Sequence, residues 1–287
     1  MQRYKIVHRT YYNFGAVVHL EPHSLLLRPR EGHELHIESS TLDISPKATL
    51  RWHRDAEDNS VAIATFDSPT NQLSIESEVI IQQFNEGPLD FLVADYAIDF
   101  PFSYRPEDRV LLSPYMSVAQ NTAKSMLADW VAGFLQPGEK IQTYVLLQRL
   151  CTHIQRTLSY QRREEPGVQA VAETLSCNTG SCRDFAYLFV EAARYLGLAS
   201  RFVSGYLHAQ PSASDFGATH AWAEVFLPGA GWKGFDPTTG NIVGADHIAV
   251  AVAMLPESVP PVAGSYIGLP GASLDVGVWV TELSSDL

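Results

Sequence analysis

One short segment predicts a cysteine at the start of a helix. Residues 178–185 read Asn-Thr-Gly-Ser-Cys-Arg-Asp-Phe, and the apolar residues that follow recur with helical spacing up to Gly197. Ser181 and Asp184 match a capping box, which makes Cys182 the first helical residue. The helix macrodipole favours a thiolate there, and the free N–H groups of the first turn can bind a developing oxyanion. Cys182 is therefore the candidate nucleophile.

A base and a carboxylate follow this cysteine along the chain. His220 lies in Thr-His-Ala-Trp-Ala-Glu, and Asp236 lies in Gly-Phe-Asp-Pro-Thr. A thiol, an imidazole and a carboxylate in this order indicate a cysteine nucleophile with its base and its orienting acid. By itself, a histidine beside Trp222 is explained by packing in the core. The cysteine motif upstream favours the catalytic interpretation.

The role of Asp236 depends on the hairpin that joins its strand to that of His220. The two side chains share a sheet face only if Phe226 pairs with Trp232, or if a β-bulge intervenes. The mechanism therefore predicts an odd-length loop or a bulge at 228–231. An ordinary four-residue loop would point the carboxylate away from the imidazole.

Composition limits the class of protein. The 287 residues include 46% hydrophobic and 18% charged residues, which is typical of a folded globular chain. A formal net charge of −12 argues against a nucleic-acid partner, which needs a basic surface. We see no signal peptide and no apolar run of membrane-spanning length, so no membrane partner is predicted. Three cysteines are too few for a disulfide framework, and the cytoplasm is the predicted location.

The pattern of elements predicts an α+β fold with two domains. Short alternating strands through residue 81 favour a β-sandwich or an open barrel, and the proline-rich stretch that follows suits a linker. Helical patterns at 117–134, 139–158 and from Cys182 precede strands at 200–208, 219–227 and 232–236, as in an α+β protein. The predicted units are a β-rich N-terminal domain at 1–100, a linker at 101–117, and a catalytic domain with a C-terminal extension at 118–287.

Structural and metal-binding roles are alternative interpretations of the cysteines and histidines. Cys151 lies in a helical apolar stripe and is expected to be packed and inert. Cys177 could pair with Cys182 in a disulfide, although nothing in the sequence requires it. Cys177, Cys182, His208 and His220 could also supply zinc ligands, but their spacing is unlike that of common zinc motifs. We predict no metal and no cofactor.

Residues 160–247 resemble the transglutaminase-like core of bacterial proteins, a branch of the papain-like superfamily. The motifs that support this resemblance are long and ordered, and they occupy 165–169, 173–175, 180–184, 199–206, 219–222 and 231–237. The segment 246–251 is similar to the family's continuation, and the N-terminal half resembles the β-rich domain that precedes this core. The resemblance implies Cys182 as nucleophile, His220 as general base and acid, and Asp236 as orienter.

The predicted reaction is thiol acyl transfer on amide bonds of a peptide or protein. Hydrolysis is favoured, as in a cysteine protease or amidase, because water is always available as an acceptor. A transglutaminase that crosslinks glutamine to lysine, or a silent peptide-binding module, remains an alternative, and the oligomeric state stays open. Further side chains are candidates to shape the site: Arg183, Trp222, Glu224, Tyr160 and Gln169.

Overall fold

The structure is a computed structural model that describes residues 1–84, 87, 89–119, 124–163, 165–208 and 219–283. Its α-helices are α1 Pro106–Leu112, α2 Lys124–Ala132, α3 Thr143–Thr157, α4 Val171–Cys177 and α5 Cys182–Tyr195. Its strands are β1 Gln2–Leu20, β2 His23–Leu25, β3 Leu35–Ser45, β4 Ala48–Arg54, β5 Ser60–Phe66, β6 Thr70–Gln83, β7 Asp99–Phe100, β8 Ile141–Gln142, β9 Ser159–Tyr160, β10 Thr179–Gly180, β11 Ser200–Leu207, β12 Thr219–Leu227, β13 Gly231–Asp236, β14 Asn241–Ile242, β15 His247–Ala253, β16 Val262–Ala263, β17 Tyr266–Ile267 and β18 Ala272–Glu282. Short 3-10 turns lie at Asp95–Ala97, Ser113–Met116 and Pro256–Ser258. None of the described helices is long and apolar enough to cross a membrane.

Two sheets face each other in the N-terminal region. One has the order β17-β1-β6-β3, with β18 also on β1, and the other has the order β16-β2-β5-β4. Alternate residues of β1 and β6 are buried, as their polar and apolar alternation predicts. Phe14 and Ile75 of the first sheet pack with Leu25 and Ala64 of the second. This arrangement confirms the predicted β-sandwich-like domain.

The second half is built on one antiparallel sheet with helices against it. The strand order is β14-β13-β12-β11-β15, and α5 packs on β11 and β12. The core between them includes Phe189 of α5 stacked on Phe235 of β13 at 5.6 Å, and α3 contributes to the same core. The helix of Cys182 ends where predicted, because Gly197 adopts a φ of 82° that other residues disfavour. The α+β prediction is therefore confirmed.

The stretch expected to be an irregular linker is ordered and packed. Residues 101–117 contain α1 and the turn Ser113–Met116. The Tyr104 hydroxyl donates to the Phe226 carbonyl and accepts the Ala199 N–H, both at 2.9 Å. Proline marks the beginning of α1 here, a position it favours in helices, rather than a lack of structure. The predicted helix at 117–134 is seen as α2, which starts at Lys124, and residues 120–123 lie outside the described ranges.

The C-terminal extension does not stay with the catalytic part, to which the predicted boundary assigned it. Strand β18 pairs with β1 from Tyr4↔Glu282 to Phe14↔Ala272 and so joins the N-terminal sheet. The first strand, β1, and the last described strand, β18, thus lie in the same sheet. A pairing between segments so far apart in sequence leaves no local signal for a boundary prediction to use.

The two halves share hydrophobic cores and hydrogen bonds. One shared core joins Tyr4 and Ile81 of the N-terminal sheet to Tyr206 and Ile248 of the second sheet. Another places Leu26 and Val61 in the cluster that contains Cys182 and Ala186. The N-terminal region therefore forms part of the surroundings of the candidate nucleophile.

Candidate active site

Cys182 lies where the capping pattern predicts, as the first residue of α5. Its exposed fraction is 8%. The carboxylate of Asp184 accepts the Ser181 N–H and the Ser181 hydroxyl, each at 2.7 Å, and the capping box is formed. A Cβ at Gly180 would lie 2.9 Å from the Asp184 Cβ, so only glycine fits this approach. These contacts fix the helix start and hence the position of the thiol.

A buried ion pair reinforces this helix start. Asp184 is 1% exposed, and its second oxygen accepts from Arg163 at 2.8 Å and from the Gln169 N–H at 2.7 Å. Burial opposes ionisation of Asp184, but these bonds and those from Ser181 lower its pKa. Arg183 donates from the same turn to the backbone oxygens of Arg163 and Glu165, at 3.2 and 3.1 Å. Asp184 thus supports the helix, as the capping interpretation predicts.

The hairpin of β12 and β13 has the odd-length loop that the mechanism requires. Phe226 pairs with Trp232, and three residues, 228–230, form the loop. Gly229 and Gly231 adopt φ values of 87° and 76°, conformations that favour glycine. The register places Trp222 opposite Asp236, so Asp236 shares a face with His220.

His220 and Asp236 are in direct contact as a result. The distance from His220 Nε2 to Asp236 Oδ2 is 2.9 Å, and the other oxygen of Asp236 accepts the Thr238 N–H at 2.9 Å. The Asp236 side chain is fully buried and that of His220 is 10% exposed. An ionised carboxylate only accepts, so Nε2 carries the proton that bridges the pair. This leaves Nδ1 of His220 for its hydrogen bond with the Cys182 side chain.

The electrostatics of the site favour a charged imidazole beside the thiol. Burial alone would lower the pKa of His220, but its hydrogen bonds to Asp236 and Cys182 and the charges of both partners raise that pKa to about 10. Burial likewise opposes ionisation of Asp236, yet the hydrogen bonds from His220 and His247 hold its pKa well below the usual range. The arrangement is suited to a thiolate–imidazolium pair.

His247 is a member of this network that the sequence did not point to. Its Nε2 lies 3.1 Å from the same Asp236 oxygen that contacts His220. His247 begins β15, whereas Asp236 ends β13, and two strands of the sheet lie between these. Gly205 of β11 helps to leave this face open, since a Cβ there would lie 2.7 Å from the Trp222 ring. No period or spacing in the sequence links positions 236 and 247.

The other predicted site-shaping residues take different positions. Trp222 is 1% exposed and packs edge-on to His247 at 5.3 Å, so it belongs to the core beneath the network. Glu224 forms an ion pair with Arg201 at 2.7 Å. Tyr160 is 56% exposed and contacts Phe185 edge-on at 6.4 Å. The Gln169 side-chain oxygen accepts from Thr174 at 3.2 Å. Among these, Trp222 alone has a ring contact with the imidazoles.

The residues that could hold a metal in the structure differ from those considered from the sequence. His220, Asp236 and His247 offer ligand atoms that all lie within 4.8 Å of one another, the one such group among the described residues. The zinc set considered from sequence does not come together there, and Cys177 is an exposed free thiol. Cys151 and Cys182 are free as well, so the Cys177–Cys182 disulfide is not formed. The contacts at 2.9 and 3.1 Å are hydrogen bonds between these groups.

Cavities lie on either side of the network. One of about 450 Å³ is lined by Gln161, Gln169 and Gly180, next to the start of α5. Another of about 330 Å³ lies between the N-terminal loop 30–35 and the face that carries Trp222 and His247. A third, of about 520 Å³, runs along α3 and is lined by none of the three predicted catalytic residues.

Two family models match this chain. The family model described as the bacterial transglutaminase-like N-terminal region matches residues 4–82, and that of the transglutaminase-like superfamily matches residues 136–237. The chain combines a bacterial transglutaminase-like N-terminal region with a transglutaminase-like core. The core match ends just after Asp236 and contains Cys182 and His220.

Relatives of known sequence or structure align with nearly all of this chain. An uncharacterised protein of Mycobacterium tuberculosis is 28% identical over 99% of this chain and 94% of its own length. An uncharacterised protein of Mycobacterium leprae is 24% identical over 99% of this chain and 100% of its own. A solved structure from Cytophaga hutchinsonii, of a protein proposed to be a cysteine protease, has a TM-score of 0.75 at 15% identity, covering 100% of this chain and 92% of that one. At that identity the likeness shows the fold alone.

Proposed function

We propose that this chain is a thiol-dependent hydrolase of amide bonds in peptides or proteins. Cys182 acts as the nucleophile, His220 as general base and acid, and Asp236 as the orienter of His220. One observation carries the proposal: His220 is held between Asp236, at 2.9 Å, and the Cys182 side chain, to which it is hydrogen bonded. Membership of the transglutaminase-like superfamily supports a papain-like type of enzyme.

The reaction follows from the proton positions at the site. His220 Nδ1 takes the proton of Cys182 while Nε2 keeps its bond to Asp236, so charge separates within a desolvated network. The thiolate attacks the amide carbonyl, and the backbone N–H of Cys182 at the helix start stabilises the oxyanion. His220 then protonates the departing amine, which leaves a thioester on Cys182. Water, deprotonated by His220, releases the acid and restores the thiol.

A lysine amine in place of water would give an isopeptide crosslink, which is the transglutaminase alternative. The match to the transglutaminase-like superfamily supports this alternative. The two reactions share every step up to the thioester and differ only in the acceptor. They are therefore separated by their products rather than by the triad.

The test is mass spectrometry of a mixed peptide library incubated with the enzyme. Cleavage, deamidation and lysine crosslinking each change mass differently, and we expect cleavage or deamidation. Cys182→Ala should be inactive, whereas Cys177→Ser, which removes an exposed free thiol, should keep activity. A parallel series in EDTA separates thiol from metal chemistry. Products that persist in Cys182→Ala, or that vanish in EDTA, would contradict the proposal, and crosslinks alone would establish the transglutaminase alternative.

A further inference from the structure

His247 meets the triad through Asp236, not through the reacting thiol. Both imidazoles approach Asp236 Oδ2, His220 at 2.9 Å and His247 at 3.1 Å. The other oxygen, Oδ1, accepts the N–H groups of Thr238 and Thr239, at 2.9 and 3.4 Å. Each oxygen of the carboxylate therefore has two donors, and its orientation is determined from both sides.

The hydrogen-bond partners of His247 fix its tautomer. The N–H of Gly244 donates to His247 Nδ1 at 3.4 Å, so this nitrogen carries a lone pair. In the neutral ring the proton must then lie on Nε2, where it can donate to the carboxylate of Asp236. The same turn is closed in the other direction by the His247 N–H, which donates to the Gly244 oxygen at 3.0 Å. The backbone of Gly244 therefore restrains both the ring and the backbone of His247.

The N-terminal region holds the strand that presents this histidine. Gln83 of β6 donates to the His247 carbonyl at 3.3 Å, and the Arg30 N–H donates to the Ala249 carbonyl at 2.8 Å. The buried side chain of Asn59 bonds the N–H and the carbonyl of Val252, at 2.9 and 2.8 Å. The His247 ring, 8% exposed, is then packed against Trp222. These contacts leave the ring little freedom to turn.

We propose that His247 is a positioning residue of the site, which donates its Nε2 proton to Asp236 and thereby aligns the carboxylate with His220. This inference rests on the proposed function. It also gives the N-terminal domain a role, since that domain fixes β15 and so the place of the imidazole. Without His247, Oδ2 keeps one donor, and the carboxylate is held less firmly in line with His220.

Three variants separate this role from packing. His247→Phe keeps a ring beside Trp222 and removes the donor, whereas His247→Gln keeps an amide donor. His208→Phe is the matched control, because His208 contacts Asp246 at 3.3 Å and not Asp236. The quantities to measure are kcat and KM for a peptide that the enzyme cleaves, and the rate at which iodoacetamide alkylates Cys182 at neutral pH. The alkylation rate needs no substrate.

We expect kcat in His247→Phe to fall by about tenfold or more, in the range seen when a group that orients a reacting partner is lost. KM should change less than kcat, because His247 acts on the orientation of Asp236, and alkylation should slow. His247→Gln should recover most of both rates, and His208→Phe should match the unchanged protein. Normal rates in a folded His247→Phe, or a His247→Gln as slow as His247→Phe, would overturn the proposal.

A measurement on the unchanged protein keeps the test independent of folding in the variants. ¹⁵N NMR of the imidazoles should show His247 as the Nε2–H tautomer, and the Nδ1–H tautomer would overturn the proposal. If no peptide is turned over but alkylation slows in His247→Phe and recovers in His247→Gln, the proposed function fails while the positioning role stands.

Discussion

Two buried cysteines differ in what surrounds their sulfur atoms. Cys151 lies in the middle of α3 at 0% exposure, and its thiol donates to the Asn241 carbonyl at 3.6 Å. Burial, with the nearby charge of Asp236, raises the pKa of that thiol. Cys182 is 8% exposed but begins α5 and is hydrogen bonded to a strongly basic imidazole. Position on the helix and the imidazole partner, rather than burial, distinguish the candidate nucleophile from the packed thiol.

The largest expected effect separates the two cysteines directly. Cys182→Ala should lower kcat/KM for peptide hydrolysis by at least about 10³-fold, because the nucleophile is lost. Cys151→Ala should keep activity within about threefold and lower the free energy of unfolding by about 1 kcal/mol, because the core loses the contacts of a buried sulfur. Steady-state kinetics and urea unfolding of both variants check this. Equal losses of activity in the two would break the comparison.

The next largest effect is expected when the charge of Asp236 is removed, because this charge acts on both Cys151 and the His220 partner of Cys182. Asp236→Asn should lower kcat by about 10²-fold, because a neutral amide no longer stabilises the imidazolium or fixes its tautomer. The pKa of His220 should fall, because the hydrogen bond and charge of Asp236 raise it. Alkylation of Cys182 as a function of pH reports both changes. An unaltered pH profile would mean that Asp236 does not act through His220.

The pH dependence of the unchanged protein follows from the same shift. Protonation of the departing amine requires charged His220, so kcat/KM should fall only as the pH rises towards about 10. Alkylation, which needs only the thiolate, should not fall in the same range. The stability that His220 contributes is fully present below its unfolded pKa of about 6.5 and is lost as the pH rises through the folded value. Asp236 acts in the opposite sense, and its contribution is lost as the pH falls below about 4. Thermal unfolding across pH checks the signs, and a loss of alkylation at neutral pH would contradict them.

The parts of the site that local signals determine were predictable. The capping box of Ser181 and Asp184 places Cys182 at the helix start, and the glycines at 229 and 231 permit the odd-length loop. Both features involve residues within a few positions of one another. Sequence reasoning could therefore state the geometric condition on Asp236, and the register Phe226↔Trp232 meets it.

The parts that depend on distant contacts were not predictable. His247 reaches Asp236 across the β12 and β11 strands, which no periodicity encodes. Strand β18 pairs with β1, and Tyr104, which precedes α1, donates a hydrogen bond to Phe226 of β12. Local composition reveals neither of these tertiary contacts. In each case the local pattern was compatible with several arrangements, and packing selected one.

The smallest expected effect concerns Glu224, which the sequence suggests as a site residue. It lies on the strand of His220, but its carboxylate pairs with Arg201, whose guanidinium lies 4.2 Å from the centre of the Trp232 ring. If any nearby carboxylate raises the reactivity of Cys182, Glu224→Gln should slow its alkylation. If only a carboxylate in contact with His220 does so, Glu224→Gln should leave the alkylation rate unchanged. We expect kcat/KM and the alkylation rate to stay within about twofold, since screening weakens charges that make no direct contact. Asp236→Asn is the matched carboxylate-to-amide change. If Glu224→Gln lowered these rates as much as Asp236→Asn, the combined charge of nearby carboxylates, and not the contact with His220, would explain why Cys182 is more reactive than Cys151.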